Sequence, residues 1–259
     1  MIELRNLAKL YPSNKRGDRP VVAVERVDLT LDKGEFLCIV GPSGCGKTTI
    51  LNMIAGFERP SQGQILLDGV LVDKPGPERV VVFQQPSLFP WMTLFDNVGF
   101  GLTLRGGKKS AHNPTIHSIL ATVGLSGFAH HFPYQLSGGM QQRAAIARAL
   151  ITEPRILLMD EPFGALDAQT RTEMQRFLLS LWERLHPTVL FITHDVEEAI
   201  ILGGRVVVMT PRPGTIAQDI PIRLGRPRRW DISLSAEFLS YKKMVLNILR
   251  PKEASSLEC

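Results

Sequence analysis

From Gly41 to Thr48 the chain reads Gly-Pro-Ser-Gly-Cys-Gly-Lys-Thr: two glycines with four residues between them, then a Lys-Thr pair. This is the pattern of a loop that cradles phosphate. Each residue type has a physical reason. Gly41, Gly44 and Gly46 let the backbone curl until successive N–H groups point inward at an anion. A helix starting near Lys47 adds the positive end of its dipole. The Lys47 ammonium would reach the β- and γ-phosphates of a nucleotide, and the Thr48 hydroxyl would hold Mg²⁺. The bland alternative is a glycine-rich turn with a lysine nearby. The context argues against it. An apolar run, Phe36 to Val40, breaks at Gly41, and Ile50, Leu51, Ile54 and Phe57 follow at helical spacing until Gly56 and Pro60 close the helix.

Other residues could complete that chemistry. Asp160 ends the most apolar run of the chain, Ile156 to Met159, where a second Mg²⁺ contact is needed. Glu161 beside it could polarise an attacking water. The pair could instead be two carboxylates in an exposed loop. Leu136-Ser137-Gly138-Gly139-Met140-Gln141-Gln142-Arg143 precedes a helical run through Leu150. Ser137 can cap that helix, and the glycines expose N–H groups at its positive end, so it reads either as an ordinary helix start or as a second anion site. Tyr11 reads equally well as a strand-end aromatic at the edge of a core or as a platform for a purine ring.

Several elements must hold these residues. Ile2 and Leu4, and Val27, Leu29 and Leu31, alternate with polar residues as half-buried strands do, and Asp32-Lys33-Gly34 turns into the strand before the phosphate loop. A polar loop runs from Pro12 to Pro20. Gly63 to Gly69 and Val80 to Phe83 read as strands, and Gln84 follows the second. The stretch from Pro86 to about Pro154 reads as mostly helical and as an insertion. Asn113-Pro114 starts one helix, with Ile116, Ile119, Leu120 and Val123 on one face and Gly124 as its stop. The unbroken apolar run at Ile156 to Met159 suits a parallel strand covered on both faces, and Thr188 to Thr193 reads as another strand. The second ends at His194. Thr170 and Glu173 read as a capping box opening a helix with Met174, Phe177, Leu178, Leu181, Trp182 and Leu185 on one stripe, Trp182 being core packing. Asp195 caps a short helix stopped by Gly203-Gly204, Val206 to Met209 is a further strand, and Phe238, Tyr241, Val245, Ile248 and Leu249 mark a last helix ended by Pro251.

The 259 residues allow one large α/β domain with a subdomain, and 44% hydrophobic with 21% charged residues is ordinary for a globular protein. No apolar run is long enough to span a bilayer and the N-terminus has no secretory pattern, so a cytoplasmic location is expected. Cys38, Cys45 and Cys259 form no metal or disulfide pattern. His112, His117, His130 and His131 share no ligand spacing and read as surface or capping residues. The net charge is a mild +5, part of it in Arg205, Arg212, Arg223, Arg226, Arg228 and Arg229. That cluster is either a solvated basic edge or a face for anionic lipid or a partner. Basic and aromatic residues do not alternate, so no nucleic-acid partner is expected.

Together these motifs resemble the ATPase subunit of an ATP-binding-cassette transporter, over residues 2 to 230. The resemblance implies an α/β fold: a P-loop NTPase core of the RecA-like kind, an N-terminal antiparallel β subdomain and an inserted α-helical subdomain. The implied division is an ATPase domain at 2–230, with its core at 2–85 and 155–230 and the helical subdomain at 86–154, and a helical tail at 231–259. By position, Tyr11 matches the family's adenine-stacking aromatic. Gly41, Pro42, Ser43, Gly44, Cys45, Gly46, Lys47, Thr48 and Thr49 match its phosphate loop. Gln84 matches the glutamine that senses Mg²⁺ and the attacking water. Ser137, Gly138 and Gly139 match the family signature, although Met140 stands where its strictest form has glutamine. Asp160 and Glu161 match the Mg²⁺-associated aspartate and the catalytic glutamate, Ala165-Leu166-Asp167 the loop at the dimer interface, and His194 the switch histidine.

The implied cofactors are ATP and Mg²⁺. The implied partners are transmembrane permease subunits, a second ATPase subunit paired head to tail, and indirectly a periplasmic or extracellular solute-binding protein. The implied place is the cytoplasmic face of the membrane. Phe89-Pro90-Trp91, Asp96-Asn97-Val98 and the block Pro162 to Asp167 look like the subfamily serving importers of nitrate, aliphatic sulfonates and taurine. The tail is expected to be too short for a regulatory domain. An exporter or lipoprotein-release ATPase, a non-transport cassette ATPase and a GTP-binding switch are the alternatives. The last lacks an Asn-Lys-x-Asp guanine reader.

Overall fold

The computed structural model describes residues 1–12, 20–104, 106, 109–228 and 230–250. Most of the loop between Pro12 and Pro20, Arg229, Pro251 and Cys259 lie outside the described residues.

Two sheets organise the chain. The first pairs β2 (Val21–Leu31), β1 (Ile2–Tyr11), β4 (Gln62–Leu67) and β5 (Val70–Leu71) in that order, all antiparallel. Register shifts follow Leu4 in β1, where Asn6 takes a left-handed φ of 48°. A residue in that conformation breaks the pleat as a bulge does. The second sheet has the order β10 (Ile216–Pro221), β9 (Arg205–Met209), β3 (Phe36–Val40), β8 (Val189–Thr193), β7 (Ile156–Asp160) and β6 (Arg79–Val82). The pairs from β9 to β6 are parallel and β10 is an antiparallel edge.

The parallel strands read as unbroken apolar runs because both faces are covered. Phe36, Cys38, Val40, Leu157, Met159, Val189 and Phe191 enter one core. Leu37, Ile39, Ile156, Leu158, Leu190 and Ile192 enter the other. The period of two in each strand thus divides its side chains between two layers. The first core is closed by α5 (Ala168–Leu185), α6 (Val196–Leu202) and α7 (Ala236–Leu249). The second is closed by α1 (Lys47–Ala55) and the antiparallel sheet. Each fully buried Leu, Ile or Phe in these layers contributes about 1.5–3 kcal/mol. A third core joins α2 (Leu94–Leu104), α3 (Asn113–Thr122) and α4 (Gly138–Leu150) through Leu94, Val98, Ile116, Leu120 and Ala147. This is the expected α/β architecture with an antiparallel β layer and an inserted helical unit.

Some local expectations change. The helix read as opening at Thr170 starts at Ala168, and Asp167 is its cap, its Oδ1 accepting from Thr170 N at 3.0 Å. The Thr170–Glu173 pattern therefore lies inside the helix. A carboxylate at the true cap satisfies an N–H that a capping box three residues later would leave orphaned. Phe57 lies past α1, which ends on left-handed Gly56, and is exposed. The short edge strands β5 and β10 had no distinct sequence signal. The arginine cluster is not one solvated edge. Arg228 Nη1 donates to the carbonyls of Ile200, Ile201 and Gly203 at the end of α6, and Arg226 Nη2 to Leu202 O at 3.0 Å. Both cations serve the negative end of a helix. Arg205 pairs with Glu35 at 2.7 Å and Asp219 at 3.0 Å.

Candidate nucleotide site

The parallel strands all end on one edge of the sheet. Gly41 follows β3, His194 follows β8, Asp160 and Glu161 end and follow β7, and Gln84 lies just past β6. The register puts Val40 beside Thr193, Ile192 beside Asp160, and Met159 beside Val82. Four motifs far apart in sequence therefore form one row across four neighbouring strands. Such carboxyl edges are where open α/β sheets bind ligands.

The loop after β3 is tightly built. Gly46 has φ 102°, and a Cβ there would lie 2.7 Å from Val24 Cγ2 and 2.9 Å from Ala23 O. A side chain would meet both strain and a wall. Lys47, almost fully buried, donates from Nζ to Gly41 O at 2.8 Å and Pro42 O at 3.2 Å, so the ammonium sits inside the loop. Thr48 Oγ1 donates to Asp160 Oδ1 at 3.2 Å, joining the phosphate loop to β7. Burial pushes the Asp160 carboxyl above its ordinary range and the neighbouring Glu161 adds to this, while Thr48 and Lys47 pull it down. A hydroxyl and a carboxylate this close are hard oxygen donors and fit Mg²⁺. Among the described residues no group of three His, Cys, Asp or Glu side chains forms a protein-only metal site.

Glu161 has a left-handed φ of 44°, strained for a residue with a side chain. Its N–H is held by Ile192 O at 2.9 Å, and its carbonyl accepts from Gly164 N at 3.0 Å. The turn aims the carboxylate at His194, whose Nδ1 lies 2.9 Å from Glu161 Oε2. Gln84 reaches the same turn: a Cβ on Gly164 would lie 3.1 Å from its Nε2. Tyr11 is tied nearby. Its hydroxyl donates to Glu58 Oε2 at 2.5 Å, and Lys9 Nζ lies 5.1 Å from its ring centre. Burial raises its phenol, helped by Glu58, while a hydrogen bond to Thr49 of the phosphate loop opposes this.

Residues 24–164 match the family described as ABC transporter. The chain belongs to the ABC transporter family. It is 44% identical over 263 residues to the nitrate import ATP-binding protein NrtD of a Synechocystis species, covering 99% of this chain and 98% of that one. It is 46% identical over 230 residues to the taurine import ATP-binding protein TauB of Yersinia pseudotuberculosis, covering 86% and 90%. The dimeric structure of a bacterial ABC transporter cassette superposes with TM-score 0.74 at 34% identity, covering 87% of this chain and 100% of that one. The same cassette in a post-hydrolysis state bound to ADP and Pi gives 0.72. This chain is an ATPase of that family, coupled to transport. No described helix is long and apolar enough to cross a membrane.

The segment from Leu136 to Arg143 lies on another element. Ser137 caps α4, its Oγ accepting from Met140 N at 3.3 Å. A Cβ on Gly139 would lie 2.9 Å from Thr170 Cγ2, and one on Gly138 3.3 Å from Leu166 Cδ2. The two glycines thus let α4 approach the start of α5. The glycines of this turn abut α5 and the loop before it, whereas those of the loop after β3 abut β2 and the 209–214 segment.

Three side chains, none of them read from the sequence as a brace, hold the start of the helical unit, and one of them reaches the strand end beside Gln84. Gln142 Nε2 donates to Phe83 O at 3.4 Å beside Gln84. Arg148 donates to Ser87 O at 2.9 Å and Pro86 O at 3.1 Å. Asn97, fully buried, accepts from Phe89 N and donates to the carbonyls of Phe89, Met92 and Thr93. It holds a loop on which Trp91 is 71% exposed, its ring 5.6 Å from that of Phe89. A separate cavity of about 1020 Å³, lined by Met1, Asp68, Pro114, Arg155 and His186 among others, shares no residue with this cluster.

Proposed function

We propose that the chain is the motor of an importer for a small anion of the taurine, aliphatic sulfonate or nitrate kind. The observation that carries the hydrolytic part is the row of Lys47, Thr48, His194, Asp160, Glu161 and Gln84 along one sheet edge. In this reading Gly41 to Thr49 and Lys47 hold the phosphates and Tyr11 stacks on adenine. Thr48, Asp160 and Gln84 would hold Mg²⁺, which neutralises phosphate charge when bound. Glu161 accepts a proton from the attacking water, and His194, already on Glu161, contacts the γ-phosphate. Catalysis is mainly positioning and charge stabilisation, as suits phosphoryl transfer. Ser137, Gly138 and Gly139 serve the nucleotide of a second copy, paired head to tail.

The core at 2–85 and 155–230 carries the chemistry. The helical unit at 86–154 meets two permease subunits, with the ATPase peripheral on the cytoplasmic face of the membrane. An exposed aromatic held on a braced loop, Trp91, supports that contact. A solute-binding protein outside the membrane would deliver the anion. The likeness to nitrate and taurine import proteins over most of the chain supports this solute class. The test is to copurify the chain with its membrane partner in proteoliposomes and measure ATP-driven uptake. Stimulation by a binding protein loaded with taurine, an alkanesulfonate or nitrate is expected. ATP-dependent efflux, or no response to any of the three, would contradict the import reading.

A further inference from the structure

The hairpin between β9 and β10, residues 210–215, lies against the phosphate loop on the side away from β8. It is braced internally: Thr210 N donates to Thr215 O at 3.0 Å, Thr215 N to Thr210 Oγ1 at 2.9 Å, and Thr210 Oγ1 to Pro213 O at 3.1 Å. It is also tied to β2, with Gly214 N on Ala23 O at 3.0 Å and Glu25 N on Gly214 O at 2.9 Å. Its backbone touches the phosphate loop directly, since a Cβ on Gly214 would lie 1.9 Å from Cys45 O. From this rigid hairpin Arg212 reaches over the loop. Its Nε and Nη2 both donate to Gly44 O at 3.2 Å.

We propose that Arg212 is a positioning residue of the phosphate loop, pinning the Gly44–Cys45 peptide so that the cradle is set before nucleotide arrives. In a trans peptide the carbonyl and the following N–H point opposite ways. Gly44 O is drawn outward by Arg212, so Cys45 N–H is turned inward. There it donates to Pro42 O at 3.3 Å, the carbonyl that also accepts from Lys47 Nζ, so the bond fixes the turn of the loop. Gly44 has φ +74° and no Cβ, so the Cys45–Pro42 bond on one side of this peptide and the Arg212 fork on the other are what hold it against rotation. A rotated peptide would break the Cys45–Pro42 bond that closes the turn and present a carbonyl oxygen to the anion. The planar guanidinium fork places two donors on one oxygen, which a lysine ammonium on a flexible stem does not reproduce.

The inference rests on the 41–48 loop being the phosphate site. ADP and inorganic pyrophosphate should be titrated by calorimetry onto the purified wild-type chain and onto Arg212→Ala, Arg212→Lys and Lys47→Ala. Thermal unfolding without ligand runs in parallel. Arg212→Ala should weaken both ligands by a similar factor, on the order of tenfold, with an unchanged unfolding temperature. Arg212→Lys should recover only a small part, because charge without the fork does not pin the peptide. Full recovery by lysine would reduce Arg212 to a charge and overturn the proposal. So would wild-type affinity in Arg212→Ala, or a fall in affinity matched by a fall in stability. If Lys47→Ala binds ADP normally, the loop is not the phosphate site, and the reading of the site falls with the proposal.

Discussion

Glu161 and Asp160 are adjacent carboxylates with different surroundings. Glu161 sits on a strained turn with His194 against it, while Asp160 is half-buried with Thr48 as donor. Glu161→Gln should keep nucleotide binding and lose hydrolysis by about 10²–10⁴-fold if the carboxylate takes a proton from water. Phosphate release under saturating ATP measures this, and near-normal turnover would remove Glu161 from the mechanism. Lys47→Ala should instead weaken binding itself. Asp160 gives a prediction of opposite signs. Its carboxyl is raised above the ordinary value, first by burial. The folded state therefore holds its proton more tightly than the unfolded state, and ionised Asp160 costs stability once pH exceeds the unfolded value. The cost is relieved as pH falls through the raised value. Asp160→Asn should accordingly raise the unfolding temperature of the free chain near neutral pH, by about 1–3 °C, while abolishing Mg²⁺-dependent hydrolysis. At pH 3, where the acid is neutral in both states, the gain should vanish.

At the scale of elements, the loop from Phe89 to Thr93 depends on one buried side chain. Asn97→Ala removes four hydrogen bonds to the part-buried loop; Phe89 O and Thr93 O keep Met92 N and Asn97 N, so the loss falls on Phe89 N–H and Met92 O, at about 1–3 kcal/mol each. Amide exchange at residues 89–93 should accelerate strongly, with the parallel sheet still protected. Trp91→Ala should behave differently. The ring is 71% exposed, so stability should change by no more than about 0.5 kcal/mol. Assembly with the membrane partner should weaken by about 2 kcal/mol or more if the ring is an anchor. Copurification and thermal melts of the same variant separate the two effects. A strong loss of stability with intact assembly would place Trp91 in the core.

These elements also show what the sequence makes legible. Strands β3, β7 and β8 were readable because burial on both faces demands unbroken apolar runs, and the motifs after them could be placed at strand ends. The 41–48 pattern was readable because a phosphate cradle would constrain every residue type in it. Asp167 was missed as a cap because Thr170 and Glu173 form an equally good local pattern, and the sequence does not show that the Asp167 carboxylate takes the Thr170 N–H. The arginines past residue 204 looked like one patch because sequence carries their charge but not their direction. Arg228 turns inward to α6, whereas Arg212 turns to Gly44.

At the scale of the molecule, the two elements proposed to bind anions belong to different units. Lys47 lies at the parallel sheet edge, and Ser137 opens a helix of the inserted unit that packs on α5. The account holds that two copies share each nucleotide, the phosphate loop of one facing Ser137 of the other. The most direct test mixes a Lys47→Ala chain with a Ser137→Arg chain and follows nucleotide-dependent dimerisation by light scattering. Each variant alone carries a lesion in both of its sites and should stay monomeric with ATP. In the mixed dimer both lesions fall in one site and the other is intact. ATP should then restore a dimer fraction. If both variants are folded and the mixture remains monomeric at every ATP concentration, the two elements do not share a nucleotide.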